Sequence, residues 1–181
     1  MSWPTFAEDA HALTTIVLLA RTELPDSNFK DSAVLVMNNI GPAPAGLIIN
    51  RPTRIAVSRL FPDVERLAHV SDKVYFGGPV ELGSVSFLFR ASKEPEHATQ
   101  VLDGIYISTD EELLRRLLGR DKPMEGLRIF IDYSSWAPGQ LEAEIARGDW
   151  KLAPAQSETI FNGKSGHPWP EQQAPDDVNR I

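Results

Sequence analysis

One short segment near the carboxyl-terminal end of the chain is dense in side chains that could do chemistry. It reads SSWAPGQLEAEIARGDW over residues 134–150, with two glutamates, one glutamine and two tryptophans. A pair of carboxylates that flanks one glycosidic bond is the arrangement that glycoside hydrolysis requires. The segment therefore raises a choice between an active site and a docked helix.

Helical geometry argues against a catalytic carboxylate pair in this segment. Pro138 suits a first helical turn and Gly148 suits a helix end, so we predict a short helix between them. At about 100° per residue, Glu142 and Glu144 point about 160° apart, whereas Glu144 and Arg147 have the spacing of an ordinary i,i+3 ion pair. Because the two glutamates cannot converge on one substrate atom, a structural role is favoured over a catalytic one.

A binding role stays open where this helix begins. Gly139 permits close approach of a ligand, Trp136 offers a flat apolar surface, and a helix N-terminus can hold an anion. Asp132 follows the apolar strand at 127–131, where partial burial would shift its pKa, but a strand-end aspartate that bonds nearby backbone amides is favoured. The alternative is a small-molecule pocket or a hydrolase-type active site near four side chains, those of Asp132, Tyr133, Trp136 and Glu142.

Other catalytic and metal-binding patterns are missing from the sequence. The chain has no cysteine, which excludes disulfides and thiolate chemistry, and its four histidines never have the i,i+4 spacing of a helical metal site. The stretch 77–79, Gly-Gly-Pro, matches neither nucleotide-binding loop and is predicted to be a tight turn between strands. No Gly-x-Ser-x-Gly nucleophile motif occurs. We therefore expect no metal and no cofactor.

Composition restricts the kind of partner that the protein can have. Its 181 residues are 42% hydrophobic and 24% charged, which is typical of one soluble globular domain. The net charge of -7 repels phosphate backbones, so we expect no direct nucleic-acid binding. No apolar run is long enough to span a membrane, and the first residues lack the basic start of a signal peptide. The sequence thus predicts a cytoplasmic protein.

The elements that must position these residues are mostly strands. Apolar and β-branched runs predict about seven of them, at 14–20, 33–37, 46–50, 74–76, 84–90, 105–107 and 127–133. A helix is predicted to begin at Thr109, which has capping-box spacing to Glu112, and to stop at a left-handed Gly119. A second short helix is predicted at 57–61. Because strands and helices interleave irregularly, a mixed α+β domain with one curved sheet is favoured.

Four fragments of the chain stand in a recognisable order over about residues 13–161, namely ARTELPDSNF, GLIINRP, GGP and the stretch from Tyr133 through GQLE to Trp150. In residues, order and spacing they resemble the AlgH/YqgE family of bacterial proteins. The resemblance implies a single α+β domain, at 1–162, in which a bifurcated, mostly antiparallel β-sheet forms a pseudo-barrel with a few short helices. The Pro- and Gly-rich residues 163–181 are expected to form a flexible tail.

The resemblance also implies a function, although without a mechanism. Family members are labelled transcriptional regulators through a link to alginate control, and no catalytic residue or cofactor is established for them. We therefore expect a non-enzymatic protein that acts on transcription indirectly, through a protein partner or a small ligand. The family's signature positions supply the candidate binding residues, which are Asn50, Arg51, Gly77, Gly78, Tyr133, Trp136, Gly139, Gln140, Glu142 and Glu144.

Two places depart from the family pattern. Residues 37–46, MNNIGPAPAG, stand where the family usually has an acidic, histidine-bearing loop followed by Gly-Ala-Met-Gly. Asp132 stands where the family usually has a glycine before the tyrosine. A family function that depends on this loop, or on bare backbone before Tyr133, would be altered in this chain.

Overall fold

The structure is a computed structural model that describes residues 15–161 except Thr22, Glu23, Pro25, Asn39 and the side chains of Glu81 and Leu82. The tail expected at 163–181 lies outside these residues. The strands of the described part are β1 (Thr15–Ala20), β2 (Ala33–Met37), β3 (Ala45–Ile48), β4 (Pro52–Ala56), β5 (Lys73–Phe76), β6 (Val80–Arg90), β7 (Thr99–Leu102), β8 (Ile105–Ser108), β9 (Leu127–Ser135) and β10 (Trp150–Pro154). The α-helices are α1 (Val57–Leu60), α2 (Glu111–Leu118), α3 (Gln140–Arg147) and α4 (Ser157–Phe161).

The sheet divides at β9, whose two edges have different partners. The strand order is β10-β1-β2-β3-β9-β6-β8-β7, and β4 is attached through β5. One edge of β9 pairs with β6, while the other pairs with β3 near Ser134 and with β5 near Phe130. Only the pairing of β5 with β9 is parallel among the described strands. The predicted α+β domain with a bifurcated, mostly antiparallel sheet is thus confirmed.

The sheet curls into a half-barrel, and inward-facing side chains from its two halves pack against one another. Inward residues of strands far apart in the sheet form one core cluster, which includes Val17, Leu47, Leu88 and Phe130. The Thr15 hydroxyl donates 2.6 Å to the carbonyl oxygen of Val101 and thereby joins β1 to β7. Two further clusters lie outside the barrel, one under α2 and one under α3.

Three strands were not predicted from the sequence, namely β4, β7 and β10. Each is only four or five residues long, each has an exposed residue, and β4 begins with Pro52. Strands this short and mixed in character give no run of apolar or β-branched residues that marks a strand. The seven predicted strands are all present, β2 with the predicted ends and most of the others with shifted ends, and β6 begins at Val80 rather than at residue 84.

The ends of two helices differ from the predictions. Asp110 caps α2, because its Oδ1 accepts 2.7 Å from the amide of Leu113, so the predicted Thr109 cap is wrong by one residue. Gly119 has a φ of -77° and is not a left-handed stop. Pro138 precedes α3 instead of lying in its first turn, and Gly139 at φ 79° is the residue from which the helix starts.

Helix α1 confirms the short helix predicted at 57–61. Within the described part of the chain, no helix combines the length and the apolar character needed to cross a membrane.

Candidate functional site

The segment 134–150 docks α3 onto the outer face of the sheet through one carboxylate. Glu144 Oε2 accepts hydrogen bonds from the indole nitrogens of Trp136 at 3.0 Å and Trp150 at 2.9 Å. Its Oε1 accepts 2.9 Å from Gln140, whose own Oε1 accepts 3.0 Å from the amide of Ala137. Glu144 and Gln140 therefore tie the helix to both tryptophans and to the turn before it.

The other charged residues of α3 point elsewhere. Glu142 is exposed on the helix, as its angular separation from Glu144 predicts. Arg147 donates from Nε to Asp149 at 3.1 Å, so the predicted pair between Glu144 and Arg147 is wrong. The reason is that Glu144 faces the two indoles, whereas Arg147 reaches across Gly148 to the next carboxylate.

The flat aromatic surface expected at Trp136 is enclosed in the molecule. Trp136 is 2% exposed and stacks on Phe29 with ring centroids 6.0 Å apart. Trp150 meets both rings edge-on, with centroids 5.5 Å from Phe29 and 6.4 Å from Trp136. The three rings thus form the centre of the cluster under α3.

Asn50 and Arg51 hold the turn between β1 and β2. Asn50 Oδ1 accepts 2.9 Å from the amide of Ala33, and its Nδ2 donates 3.0 Å to the carbonyl of Asp31. The Arg51 guanidinium donates to two carbonyls and one hydroxyl, those of Asn28, Lys30 and Ser32. Burial lowers the pKa of Arg51, and the charge of Asp31 partly opposes that shift. Both signature side chains are engaged within the molecule.

Gly77 and Gly78 lie between β3 and β9, at the point where the sheet divides. The Gly77 amide donates 2.8 Å to Ile131 of β9, and its carbonyl accepts 2.9 Å from Ile48 of β3. A Cβ atom on either glycine would collide with the β9 backbone, at Asp132 for Gly77 and at 133–134 for Gly78. The predicted tight turn is wrong, since these residues carry the chain across β9 from β5 on one edge to β6 on the other. The glycines are needed for this close packing.

At Gly139 the backbone conformation, rather than close packing, requires glycine. No atom lies within 4 Å of the place where its Cβ would be, whereas its φ of 79° is left-handed. It therefore serves the backbone conformation at the start of α3, and close approach of another group is not seen there.

A cleft of about 390 Å³ opens at one end of the half-barrel. One wall is the loop from β2 to β3 with its flanking residues, and the other is built from β6, β8 and β9. Its apolar lining includes Met37, Ile40, Pro42, Pro44, Leu47, Val85 and Ile107, and its hydroxyl groups come from Ser84, Ser86, Thr109, Tyr133 and Ser135. None of the described lining residues carries a charge.

Asp132 shapes this cleft from behind its wall. The residue is 1% exposed and has a φ of 61°, and its Oδ1 accepts 2.6 Å from the amide of Gly83 and 3.2 Å from that of Ser84. The pairing of β6 with β9 is irregular there, since Val80 and Val85 of β6 face Tyr133 and Ile131 of β9. The bonds to backbone amides expected of Asp132 are present, but the amides belong to β6, 48 and 49 residues away, and Asp132 lies within β9 rather than at a strand end.

The irregularity at Asp132 brings Tyr133 into the half-barrel. Phe130 belongs to the inner cluster and Ile131 to the cluster under α2, as strand alternation requires. Asp132 interrupts that alternation, so Tyr133 packs against the inner cluster and lines the cleft.

The four side chains proposed for a pocket do not meet. Among Asp132, Tyr133, Trp136 and Glu142, only Tyr133 lines the cleft. Asp132 bonds to the bulged part of β6, Trp136 is enclosed by aromatic rings, and Glu142 is exposed on α3. The expectation of one pocket with these four residues is therefore corrected. Tyr133 is also the only one of the ten signature positions in the described lining of the cleft.

Sequence reasoning missed most of the residues that line the cleft. Ser84, Ser86 and Leu88 alternate with Val85, Phe87 and Phe89 along β6. Phe87 and Phe89 pack outward under α2, Val85 packs against that cluster and also borders the cleft, and Leu88 packs inward. Small polar residues on the inward face of a strand are the signal that could have revealed a cavity there.

Two further clefts have a more polar lining. One of about 470 Å³ lies beside Tyr75 and Arg128, whose guanidinium carbon is 4.2 Å from the Tyr75 ring centroid, and it reaches Phe161. Another of about 440 Å³ lies between α2 and β6 and includes Glu111 and Arg115. Among the described residues, no three histidine, aspartate or glutamate side chains are grouped as metal ligands would be.

Comparison with known proteins gives consistent matches over most of the chain. A family model described as AlgH-like matches residues 17–175, a range that includes every described residue of the cleft lining. A UPF0301 protein of Chlorobium luteolum is 34% identical over 155 residues, covering 84% of this chain and 80% of that protein. A UPF0301 protein of Methylococcus capsulatus is 31% identical over 173 residues, covering 93% and 94%.

Two solved structures share the fold. The solution structure of the AlgH protein from Pseudomonas aeruginosa matches with a TM-score of 0.68 and 27% identity, covering 90% of this chain and 84% of that one. The crystal structure of protein DIP2367 from Corynebacterium diphtheriae matches with a TM-score of 0.64 and 26% identity, covering 84% and 81%.

Proposed function

The chain belongs to the AlgH-like family, and we propose that it is a non-catalytic binding protein whose ligand occupies the cleft at the end of the half-barrel. The observation that carries this proposal is the chemistry of the cleft. Its walls combine apolar side chains with hydroxyl groups over a volume of about 390 Å³, which lies in the usual range for small-molecule sites.

The lining favours binding over catalysis. General acid–base catalysis most often uses a histidine, carboxylate or amine within reach of the substrate, and a serine or threonine nucleophile usually has a base beside it. The described lining offers serine, threonine and tyrosine hydroxyls with no such base among them. The hydrolase-type alternative lacks support for the same reason, since Asp132 is turned toward the amides of β6 and Glu142 lies on α3.

A role in transcription would then be indirect. The net charge of -7 opposes contact with the DNA backbone. We therefore propose that ligand binding changes the affinity of the protein for a protein partner. The cytoplasmic location predicted from the sequence is part of this proposal.

A ligand screen with a blocked cleft tests the proposal. Small molecules are screened for their effect on the melting temperature of the wild type, and hits are repeated on Ala43→Trp, whose ring would fill the mouth of the cleft. Ala146→Trp, on the exposed face of α3, is the matched control. Because a ligand stabilises only the form that binds it, hits should stabilise the wild type and the control but not Ala43→Trp. Hits that stabilise all three proteins equally, or a screen without hits, would contradict the proposal.

A further inference from the structure

We infer that the cleft takes an uncharged, mostly apolar small molecule that carries oxygen or nitrogen atoms able to form hydrogen bonds. This inference rests on the proposed function and adds the chemical class of the ligand.

The apolar part of the ligand is indicated by the walls. Met37 and Leu47 are each 1% exposed and line the cleft together with Ile107 of β8. Pro42 and Pro44 in the loop fix the φ angles of the facing wall, which makes that wall stiff. An apolar ligand that displaces water from a preformed apolar cleft of this kind binds with a favourable free energy.

The hydrogen-bonding part of the ligand is indicated by the hydroxyl groups. Within the described part of the chain, the five lining hydroxyls of Ser84, Ser86, Thr109, Tyr133 and Ser135 make no hydrogen bond to another protein group. That of Ser86 is moreover buried without a partner, which is uncommon in folded proteins. A hydroxyl can both donate and accept, so carbonyl, hydroxyl or amide groups on a ligand would satisfy these side chains.

The absence of charge on the ligand follows from what a charged group would meet. A carboxylate, sulfonate or ammonium group entering the cleft would lose water and would find no opposite charge among the described lining residues. The carboxylate of Asp132, which adjoins the lining residue Tyr133, faces the amides of Gly83 and Ser84. An anion would in addition be repelled by it.

Two naphthalene dyes that differ in charge test the inference. The neutral ketone 6-propionyl-2-(dimethylamino)naphthalene and the anion 8-anilinonaphthalene-1-sulfonate are titrated with the full chain, and their fluorescence is recorded. The ketone should bind saturably with a blue-shifted emission, at least about tenfold more tightly than the anion, because the anion would leave a charge unpaired. Ala43→Trp should abolish binding of the ketone.

Removal of hydroxyl groups tests the polar part separately. The double variant Ser84→Ala, Ser86→Ala should weaken binding of the ketone by about three- to tenfold, the value of a hydrogen bond to a neutral group. Ser92→Ala, at an exposed position beyond the end of β6, is the control and should bind as the wild type does.

The possible outcomes separate the inference from the proposed function. Equal affinity for both dyes, abolished for both by Ala43→Trp, would overturn the inference about charge and leave the cleft as the binding site. Ketone binding that the double serine variant does not weaken would overturn the role of the hydroxyls. Dye binding that Ala43→Trp does not change, or no binding of either dye, would overturn the proposed function itself.

Discussion

Two glutamates that are two residues apart in α3 have different roles because they face different surroundings. The carboxylate of Glu144 is an acceptor for two indole N–H groups whose rings are 2% and 3% exposed. Glu142 is exposed on the same helix. The density of reactive side chains in 134–150 therefore reflects the docking of a helix, with one carboxylate bonding two tryptophans.

Glu144→Ala should lower the free energy of unfolding by about 2 kcal/mol, because it leaves two largely buried indole donors without an acceptor. Glu142→Ala, on the same helix, should change it by less than about 0.5 kcal/mol. Urea denaturation followed by tryptophan fluorescence measures both values. Equal losses for the two variants would show that Glu144 does not dock the helix.

At the scale of elements, β9 decides both where the sheet divides and where the cleft lies. A regular strand would place Tyr133 on the face opposite to that of Phe130 and Asp132. The left-handed backbone at Asp132 instead lets Tyr133 pack with the inner cluster that contains Phe130. The same carboxylate bonds the bulged part of β6, so one residue positions both the β9 part and the β6 part of one wall of the cleft.

Replacing Asp132 should separate its backbone role from its hydrogen bonds. Both Asp132→Ala and Asp132→Gly lose the bonds to Gly83 and Ser84, but only glycine adopts the φ of 61° without strain. Asp132→Gly should therefore be more stable than Asp132→Ala by about 1 kcal/mol in urea denaturation.

Asp103 provides the matched control, because it lies in an exposed turn and has no positive φ. There the order should reverse, with the alanine variant the more stable by up to about 1 kcal/mol, since glycine raises the entropy of the unfolded chain. Alanine and glycine variants of equal stability at position 132 would contradict the strained geometry proposed for β9.

At the scale of the whole molecule, charge and shape point to the same kind of activity. The net charge of -7 is unfavourable for contact with phosphate backbones. The half-barrel meanwhile offers a cleft without charged lining among its described residues. Both features favour the binding of an uncharged ligand over the direct binding of DNA.

Gel retardation with a duplex of about 30 base pairs should show no shift at about 150 mM salt, because too few phosphates would be neutralised to release counterions. A basic DNA-binding protein run on the same gel checks the assay. Retardation by this chain that weakens steeply as salt rises would show that it binds DNA directly, contrary to the indirect role proposed.

The sequence by itself determined what depends on neighbours along the chain. Helical spacing separated Glu142 from Glu144, apolar runs located seven of the ten described strands, and the lack of cysteine excluded thiolate chemistry. These properties follow from local geometry and composition, which the order of residues states directly. Helix ends were less certain, because Thr109 and Asp110 are both good caps and only the folded backbone chooses between them.

The tertiary structure decided every feature that joins distant parts of the chain. Asp132 bonds an amide 49 residues away, and the cleft combines residues from the β2–β3 loop, β6, β8 and β9. Whether Glu144 pairs with Arg147 or with two indoles likewise depends on where β9 and β10 place the tryptophans. Such contacts form only when the sheet curls, and no local pattern in the sequence records which strands will then face one another.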